Sequence, residues 1–101
     1  MDDLNVEVLF EVKQLSEKYG SLYGIGLENN IGNFDGMKVH SSGNIFTTGP
    51  GGILVISPEG KLLSRINFGH VTNCAFDTNE NYLYVTGFAD NPKVYRIKLK
   101  S

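Results

Sequence analysis

The stretch GNFDGMKV, residues 32–39, places one carboxylate between two glycines, directly before a regular series of short strand patterns. Gly32 and Gly36 permit backbone angles that other residues avoid, so the chain can hold Asp35 at a bend with its side chain pointing into a cavity. An Asp before Gly also forms ordinary turns, in which its carboxylate accepts hydrogen bonds from nearby backbone amides. Asp35 is therefore the candidate site residue, and a plain turn is the alternative.

A strand rhythm follows Asp35. Turn residues at 41–43 and 58–60 separate apolar runs that are typical of antiparallel strands. The glycines at 49–52 precede a Val/Ile strand instead of a helix, which favours a turn over a phosphate-binding loop. The pattern predicts four strands of one sheet and three of a second, at 37–40, 44–48, 53–57 and 62–68, then at 73–76, 82–87 and 93–99.

The second group of strands repeats the first at an offset of 37 to 38 residues. The matching segments are Met37-Lys38-Val39 with Cys74-Ala75-Phe76, Asn44 with Asn81, and Thr48-Gly49 with Thr86-Gly87. Repeats of roughly 40 residues are typical of four-stranded propeller blades. The 101 residues hold about two blades, and blades need neighbours to bury their faces. The sequence predicts an all-β fold, a partial β-propeller of two antiparallel blades.

The N-terminal third has a different pattern. Residues 5–12 alternate apolar and acidic side chains and predict a half-buried strand. Residues 13–20 predict a short helical turn, and 20–33 predict a glycine-rich loop. Within 1–101 the predicted layout is a strand at 1–12, a connecting loop at 13–33, a full blade at 34–69 and three strands of the last blade at 70–101.

The charge is uneven, with seven acids and two lysines in residues 1–36 but four acids and seven bases in residues 37–101. The bases occupy alternate strand positions instead of one cluster, so no nucleic-acid partner is expected. The densest group, at 93–100, is typical of an edge strand kept soluble by charge. The acidic start contains no long apolar run, so neither a signal peptide nor a membrane partner is expected; the compartment is unassigned, with the cytoplasm as the default.

Few other residues offer chemistry. Cys74 lies in an apolar run and is predicted to be a small buried side chain. His40 and His70 are too few for a zinc site and are predicted to be structural or on the surface. The chain contains no Gly-x-Ser-x-Gly element, so acyl-enzyme chemistry is not predicted.

The motifs together resemble a known family. The ordered series DGM (35–37), SSGNIF (41–46), GPGGILVISPEGKLL (49–63), TNCAF (72–76), LYVTG (83–87) and VYRIKL (94–99) resembles the C-terminal part of the SMP-30/gluconolactonase/LRE family. The resemblance covers about residues 32–100, and it implies that residues 1–12 form the outer strand of a preceding blade. Members are six-bladed β-propeller hydrolases of sugar lactones or related esters and carry a catalytic divalent metal. The resemblance implies that Asp35 is a metal ligand and a general base, on a turn where Phe34 stands in the place that is often Pro.

The resemblance also implies a cofactor and an incomplete site. Calcium is the expected metal, with magnesium, zinc or manganese as alternatives. Calcium takes about six to eight oxygens, whereas the family's other ligands have no matching positions here. We therefore expect weak metal binding and little activity from the isolated chain. Asn73 is a candidate second-shell residue, and a turn residue that bonds its own backbone is the alternative. No residue is expected to bind an organic cofactor.

Two alternatives remain open. The chain is expected to be a C-terminal fragment of a longer propeller, whose parent chain supplies the missing blades. Alternatively, eight strands per chain would let a closed homotrimer form six blades of four, each N-terminal strand completing a neighbour's last blade. The function is expected to be lactone hydrolysis by an enzyme, and a non-catalytic propeller module that binds a partner is the alternative.

Overall fold

The computed structural model of the 101-residue chain describes residues 5–11, 13–15, 34–67, 69–87 and 91–99. Strands β1 to β7 are, in order, Met37–Val39, Ile45–Gly49, Gly52–Ile56, Leu62–Asn67, Val71–Phe76, Tyr82–Gly87 and Lys93–Lys98. They form two antiparallel sheets, in the order β1-β2-β3-β4 and β5-β6-β7. The predicted all-β architecture is confirmed, and every strand lies within two residues of its predicted bounds.

The sequence repeat is also a repeat of strand register. Met37 on β1 pairs with Thr47 on β2, and the corresponding Cys74 on β5 pairs with Val85 on β6. Each sheet is a simple antiparallel meander, because short turns join neighbouring strands. The two sheets are therefore two copies of one unit, as in consecutive propeller blades.

The turns after the two inner strands meet each other. Gly43 (φ 94°) and Glu80 (φ 57°) occupy the same left-handed turn position, each donating its amide to the carbonyl three residues earlier. The Glu80 carboxylate accepts hydrogen bonds from the Ser41 hydroxyl and, at 2.9 Å, from the Ser41 amide. It also lies 3.4 Å from Nε2 of His40. Glu80 thus joins the second sheet to the first at this end.

Apolar side chains between the sheets form the larger core. The rings of Phe46 and Phe76 meet edge to face with centroids 5.0 Å apart, and the His40 ring lies 5.2 Å from that of Phe76. Its buried members are Phe46, Ile53, Val55, Val71, Cys74, Leu83 and Val85. Each fully buried aliphatic side chain stabilises the fold by about 1.5–3 kcal/mol relative to an exposed one.

The opposite face of the first sheet packs against residues near the N-terminus. Leu15 is fully buried against Leu54, Ile56 and Leu62, with Phe10 at the edge of this second cluster. Residues 13–15 are helical, and Gln14 caps this turn because its side-chain oxygen accepts the Glu11 amide at 2.9 Å. Residues 16–20 of the predicted helix and the predicted loop at 20–33 lie outside the described residues.

Residues 5–11 pair with no strand in the part of the chain that the structure describes. Val6 is 97% exposed, whereas Leu9 approaches the β3–β4 turn so closely that its carbonyl oxygen would lie 2.3 Å from a Cβ at Gly60. A strand is defined by hydrogen bonds to a neighbouring strand. Residues 5–11 have no such neighbour among the described residues, so the outer strand predicted for this segment stays a prediction. No described helix is long and apolar enough to cross a membrane.

We expect Glu80→Ala to lower the free energy of unfolding by about 1–3 kcal/mol, because it removes hydrogen bonds to a charged acceptor that joins the two sheets. Urea unfolding followed by circular dichroism measures the change. Glu59→Ala, in the exposed turn between β3 and β4, is the matched control and should change stability by less than about 0.5 kcal/mol. Equal effects of the two substitutions would contradict this role of Glu80.

Candidate functional site

A buried hydroxyl holds the turn that carries Asp35. Thr48 on β2 is fully buried, and its Oγ1 accepts the backbone amides of Asp35 at 2.9 Å and Gly36 at 3.0 Å. The Thr48 amide donates in return to the carbonyl of Gly36 at 2.9 Å. Three bonds to one residue fix the backbone at this bend, while the side chain of Asp35 stays exposed.

The turn does not depend on the Asp35 carboxylate. In an ordinary Asp turn, the carboxylate accepts hydrogen bonds from nearby backbone amides. Within the described residues the Asp35 carboxylate accepts none, and the amides of Asp35 and Gly36 donate to Thr48 Oγ1 instead. The acid is thus presented on a framework that Thr48 and Gly36 build. A carboxylate held in this way can be replaced without loss of the turn itself.

Phe34 anchors the turn from the other side. Its ring meets that of Phe10 edge to face, with centroids 6.4 Å apart. A Cβ added at Gly49, the last residue of β2, would lie 2.8 Å from Leu54 and 3.3 Å from the Phe34 ring. Aromatic packing therefore restrains this position, where a proline would restrain it through its fixed φ angle.

Gly36 lies directly against Asn73 on β5, the inner strand of the second sheet. A Cβ at Gly36 would lie 2.1 Å from Oδ1 of Asn73 and 2.7 Å from its Cα, so only glycine permits this approach. The structure thus brings together the surroundings of the two predicted site residues, Asp35 and Asn73. Asn73 Oδ1 also accepts the amide of Cys74 at 2.8 Å, which is the local backbone bond expected of the alternative role. The second-shell role of Asn73 stays a prediction.

Lys38 brings a positive charge to the same place. Its Nζ donates to Asn73 Oδ1 at 3.5 Å, across the junction of the inner strands. An ammonium group here attracts an anionic substrate and weakens the binding of a nearby cation. Neither Lys38 nor Thr48 is among the site residues that the sequence predicts. The signal for Thr48 was present, because Thr48-Gly49 recurs as Thr86-Gly87 in the repeat.

The second sheet repeats this arrangement without the acid. At the position that corresponds to Asp35 stands Thr72, whose hydroxyl oxygen lies 2.9 Å from that of Thr86. Thr86 corresponds to Thr48 in the repeat. In each sheet, a threonine on the second strand therefore contacts the residues at the start of the inner strand. Of the two sheets, only the first has a carboxylate at that position.

The remaining titratable residues do not extend the site. No three His, Cys, Asp or Glu side chains come together to hold a metal ion among the residues that the structure describes. His40 lies in the turn that follows β1, at the other end of that strand from Asp35, with Nδ1 2.9 Å from Oγ of Ser42. Its contacts with Ser42 and Glu80 give His40 the structural role that the sequence predicts.

Cys74 is buried between the sheets, as predicted. Its Sγ lies 3.7 Å from the carbonyl oxygen of Phe46, to which the thiol donates. Burial raises the pKa of the Cys74 thiol above its ordinary value, and the nearby charge of Lys38 opposes this effect. The thiol is therefore a core side chain, not a nucleophile.

Two repeated antiparallel sheets, packed face to face with their first strands adjacent, make this chain part of a β-propeller. A family model described as the SMP-30/Gluconolactonase/LRE-like region matches residues 8–89. The chain belongs to this family.

A gluconolactonase from Zymomonas mobilis subsp. mobilis is 33% identical to the chain over 70 residues. The match covers 66% of this chain but 19% of the relative, so the chain spans about a fifth of the relative's length. No solved structure matches the chain.

We expect Thr48→Val to destabilise the turn, because the amides of Asp35 and Gly36 lose their acceptor. The free energy of unfolding should fall by about 1–3 kcal/mol, and hydrogen exchange of the two amides should accelerate. The matched control is Thr86→Val, since Thr86 corresponds to Thr48 but is exposed. Unchanged exchange at Asp35 and Gly36 in the Thr48 variant would show that the hydroxyl does not hold the turn.

Alkylation of Cys74 by iodoacetamide should be slow in the folded protein. The raised pKa of the Cys74 thiol leaves less reactive thiolate at a given pH, and burial blocks the reagent. The rate should rise towards that of free cysteine when urea unfolds the chain, which mass spectrometry of timed samples measures. Equally fast labelling with and without urea would contradict the buried placement.

Proposed function

We propose that this chain contributes Asp35 to the active site of a metal-dependent hydrolase of sugar lactones. The observation that carries the proposal is the exposed carboxylate on a turn whose backbone is fixed by Thr48 and by the contact of Gly36 with Asn73. Membership of the SMP-30/gluconolactonase/LRE-like family supports the reaction class, and the gluconolactonase relative supports the lactone substrate.

The Asp35 carboxylate suits a hard divalent cation, because it is exposed and the turn does not engage its oxygens. It would bind the cation directly, whereas the amide oxygen of Asn73 already accepts hydrogen bonds from the Cys74 amide and from Lys38 Nζ. Oxygen ligands of this kind suit calcium, and also magnesium or manganese, whereas zinc more often takes nitrogen and sulfur. Calcium is the metal we propose. Its remaining ligands would come from parts of the propeller outside the described residues.

A divalent cation at Asp35 would polarise the lactone carbonyl as a Lewis acid. The residues of this chain would then act on the water. Asp35 accepts a proton as the water oxygen adds to the carbonyl carbon, and it returns this proton to the ring oxygen as the ring C–O bond breaks, which gives the hydroxy acid. Thr48 holds the backbone of the turn that carries the carboxylate, because it bonds the amides of Asp35 and Gly36. Fixed orientation of this kind lowers the barrier to proton transfer.

Lys38 would act on the substrate instead of the water. Its Nζ is 3.5 Å from Asn73 Oδ1, the atom against which Gly36 packs. A positive charge there stabilises negative charge that develops on the carbonyl oxygen or is carried by the lactone. The complete propeller is needed for this chemistry, because one chain supplies only part of the walls and ligands. The other blades would come from a longer parent chain or from further copies of this one.

Asp35→Asn should remove the proposed activity while the fold remains. The amide cannot accept the proton and binds calcium more weakly, so lactone hydrolysis above the spontaneous rate should fall by about a hundredfold or more in the assembled protein. Acid release from gluconolactone measures turnover, and calorimetric titration with calcium measures binding.

The matched control is Glu59→Gln, an acid in an exposed turn, which should leave both quantities unchanged. A non-catalytic binding module predicts that neither substitution alters partner binding and that no calcium-dependent hydrolysis exists to be lost. Calcium-dependent turnover that survives Asp35→Asn would exclude Asp35 as ligand and base.

A further inference from the structure

The contact between the two sheets shows how one unit packs on the next. Phe46, Ile53 and Val55 project from the first sheet into the shared core, where they meet the second sheet's Leu83 and Val85. The first sheet therefore contacts the following sheet through the face that carries Phe46, Ile53 and Val55. The second sheet contacts the preceding sheet through the face that carries Leu83 and Val85, which is the other face of the repeated unit.

The repeat identifies the corresponding face on the second sheet. The pairs Phe46–Val55 and Thr48–Ile53 in the first sheet correspond to Tyr84–Arg96 and Thr86–Val94 in the second. Phe46 and Ile53 are buried by the following sheet, whereas Tyr84 is 38% exposed and Val94 is 73% exposed. We name Tyr84, Val94 and Arg96 the outer surface. Its residues correspond to those that the first sheet packs against the second, but no described sheet covers them.

The first sheet has a face that corresponds to the one through which the second sheet contacts it. Cys74, Leu83 and Ile97 reach the preceding sheet, and their counterparts in the repeat are Met37, Ile45 and Ile56. These three residues and Phe34 are named the receiving surface. They line an open apolar groove of about 270 Å³ together with Val8, Leu9 and Phe10. Met37 is 56% exposed and Phe34 is 47% exposed, whereas Ile56 is 3% exposed because Leu15 packs on it, so the open part of this face lies at Met37 and Phe34.

Charge also matches the two surfaces. Strand β7 pairs with β6 alone among the described strands, and it carries Lys93, Arg96 and Lys98. Residues 5–11, which border the receiving surface, carry Glu7 and Glu11 and pair with no described strand. An unpaired strand edge accepts an extended segment through main-chain hydrogen bonds, and opposite charges favour the encounter.

We infer that this chain binds a second copy of itself head to tail, the outer surface of one copy packing on the receiving surface of the next. Residues 5–11 of the receiving copy would then lie along β7 of the other. A head-to-tail contact either closes into a ring or continues as a filament. Propellers close with about four to eight blades, and the six sheets of three copies lie in the middle of that range, so a trimer is the expected assembly. The inference rests on the packing of the sheets and not on the proposed hydrolysis.

Sedimentation of the full chain over a range of concentrations tests the inference. The expected particle has three times the 11.1 kDa mass of one chain and dissociates on dilution. Val94→Asp should abolish association through the outer surface, and Met37→Asp through the receiving surface. Both side chains are exposed in one chain, so its folding should survive each change, which circular dichroism checks. Leu63→Asp, at an exposed position on β4, is the control and should leave the trimer intact.

Mixing the two variants gives the sharper test. Val94→Asp keeps an intact receiving surface and Met37→Asp keeps an intact outer surface, so an equimolar mixture should form a pair although neither variant associates alone. A mixture that stays monomeric would overturn the head-to-tail contact. If the unaltered chain is monomeric at every concentration, the inference is also overturned. Both surfaces would then be expected to contact further blades of a longer protein. A trimer without lactone hydrolysis would support the inference and remove the proposed function.

Discussion

The close approach of Gly36 to Asn73 is the constraint on which the other features depend. Any side chain at position 36 would collide with Asn73, so the inner strands can lie this near each other only with glycine there. This contact fixes the position of β1 relative to β5, and therefore how the side chains of the two sheets interdigitate. It also sets the position of Asp35, because its neighbour in the chain is clamped between Asn73 and Thr48. A single small residue thus serves both the packing of the units and the placement of the acid.

The other end of the inner strands is joined by different chemistry. There, the carboxylate of Glu80 bonds the turn that contains His40 and Ser41, and the aromatic rings of His40 and Phe76 meet beneath it. The contact of Gly36 with Asn73 sets the spacing of the sheets at the end with Asp35, and the bonds of Glu80 join the turns at the other end. This division leaves the Asp35 carboxylate outside the bonds that hold the sheets together. An acid that makes none of the bonds between the sheets is open to a ligand.

Local pattern predicted most of the fold, because each strand is an apolar run bounded by turn residues and the repeat confirms the period. Asp35 could be selected from its glycine-flanked turn. The repeat marks Thr48 as a recurring position but not the bonds that it makes, and it does not mark Lys38. Thr48 is 13 residues from Asp35 in the chain, and its hydroxyl reaches the turn only through the pairing of β1 with β2. The contact of Lys38 with Asn73 spans 35 residues and depends on the packing of two sheets. Such contacts follow from tertiary geometry, which alternation of side chains does not encode.

The proposed chemistry and the proposed assembly would be linked through the number of acids. One chain places a carboxylate at the entry to only one of its two inner strands, since Thr72 takes the corresponding position on β5. A ring of three copies would repeat Asp35 three times about one axis, and three carboxylates offer about six oxygens, near the lower limit for calcium. Three such acids close to one another repel unless a cation lies among them. In a ring of identical copies, metal binding would therefore strengthen assembly, and assembly would complete the metal site; in a longer chain, other residues would supply those ligands.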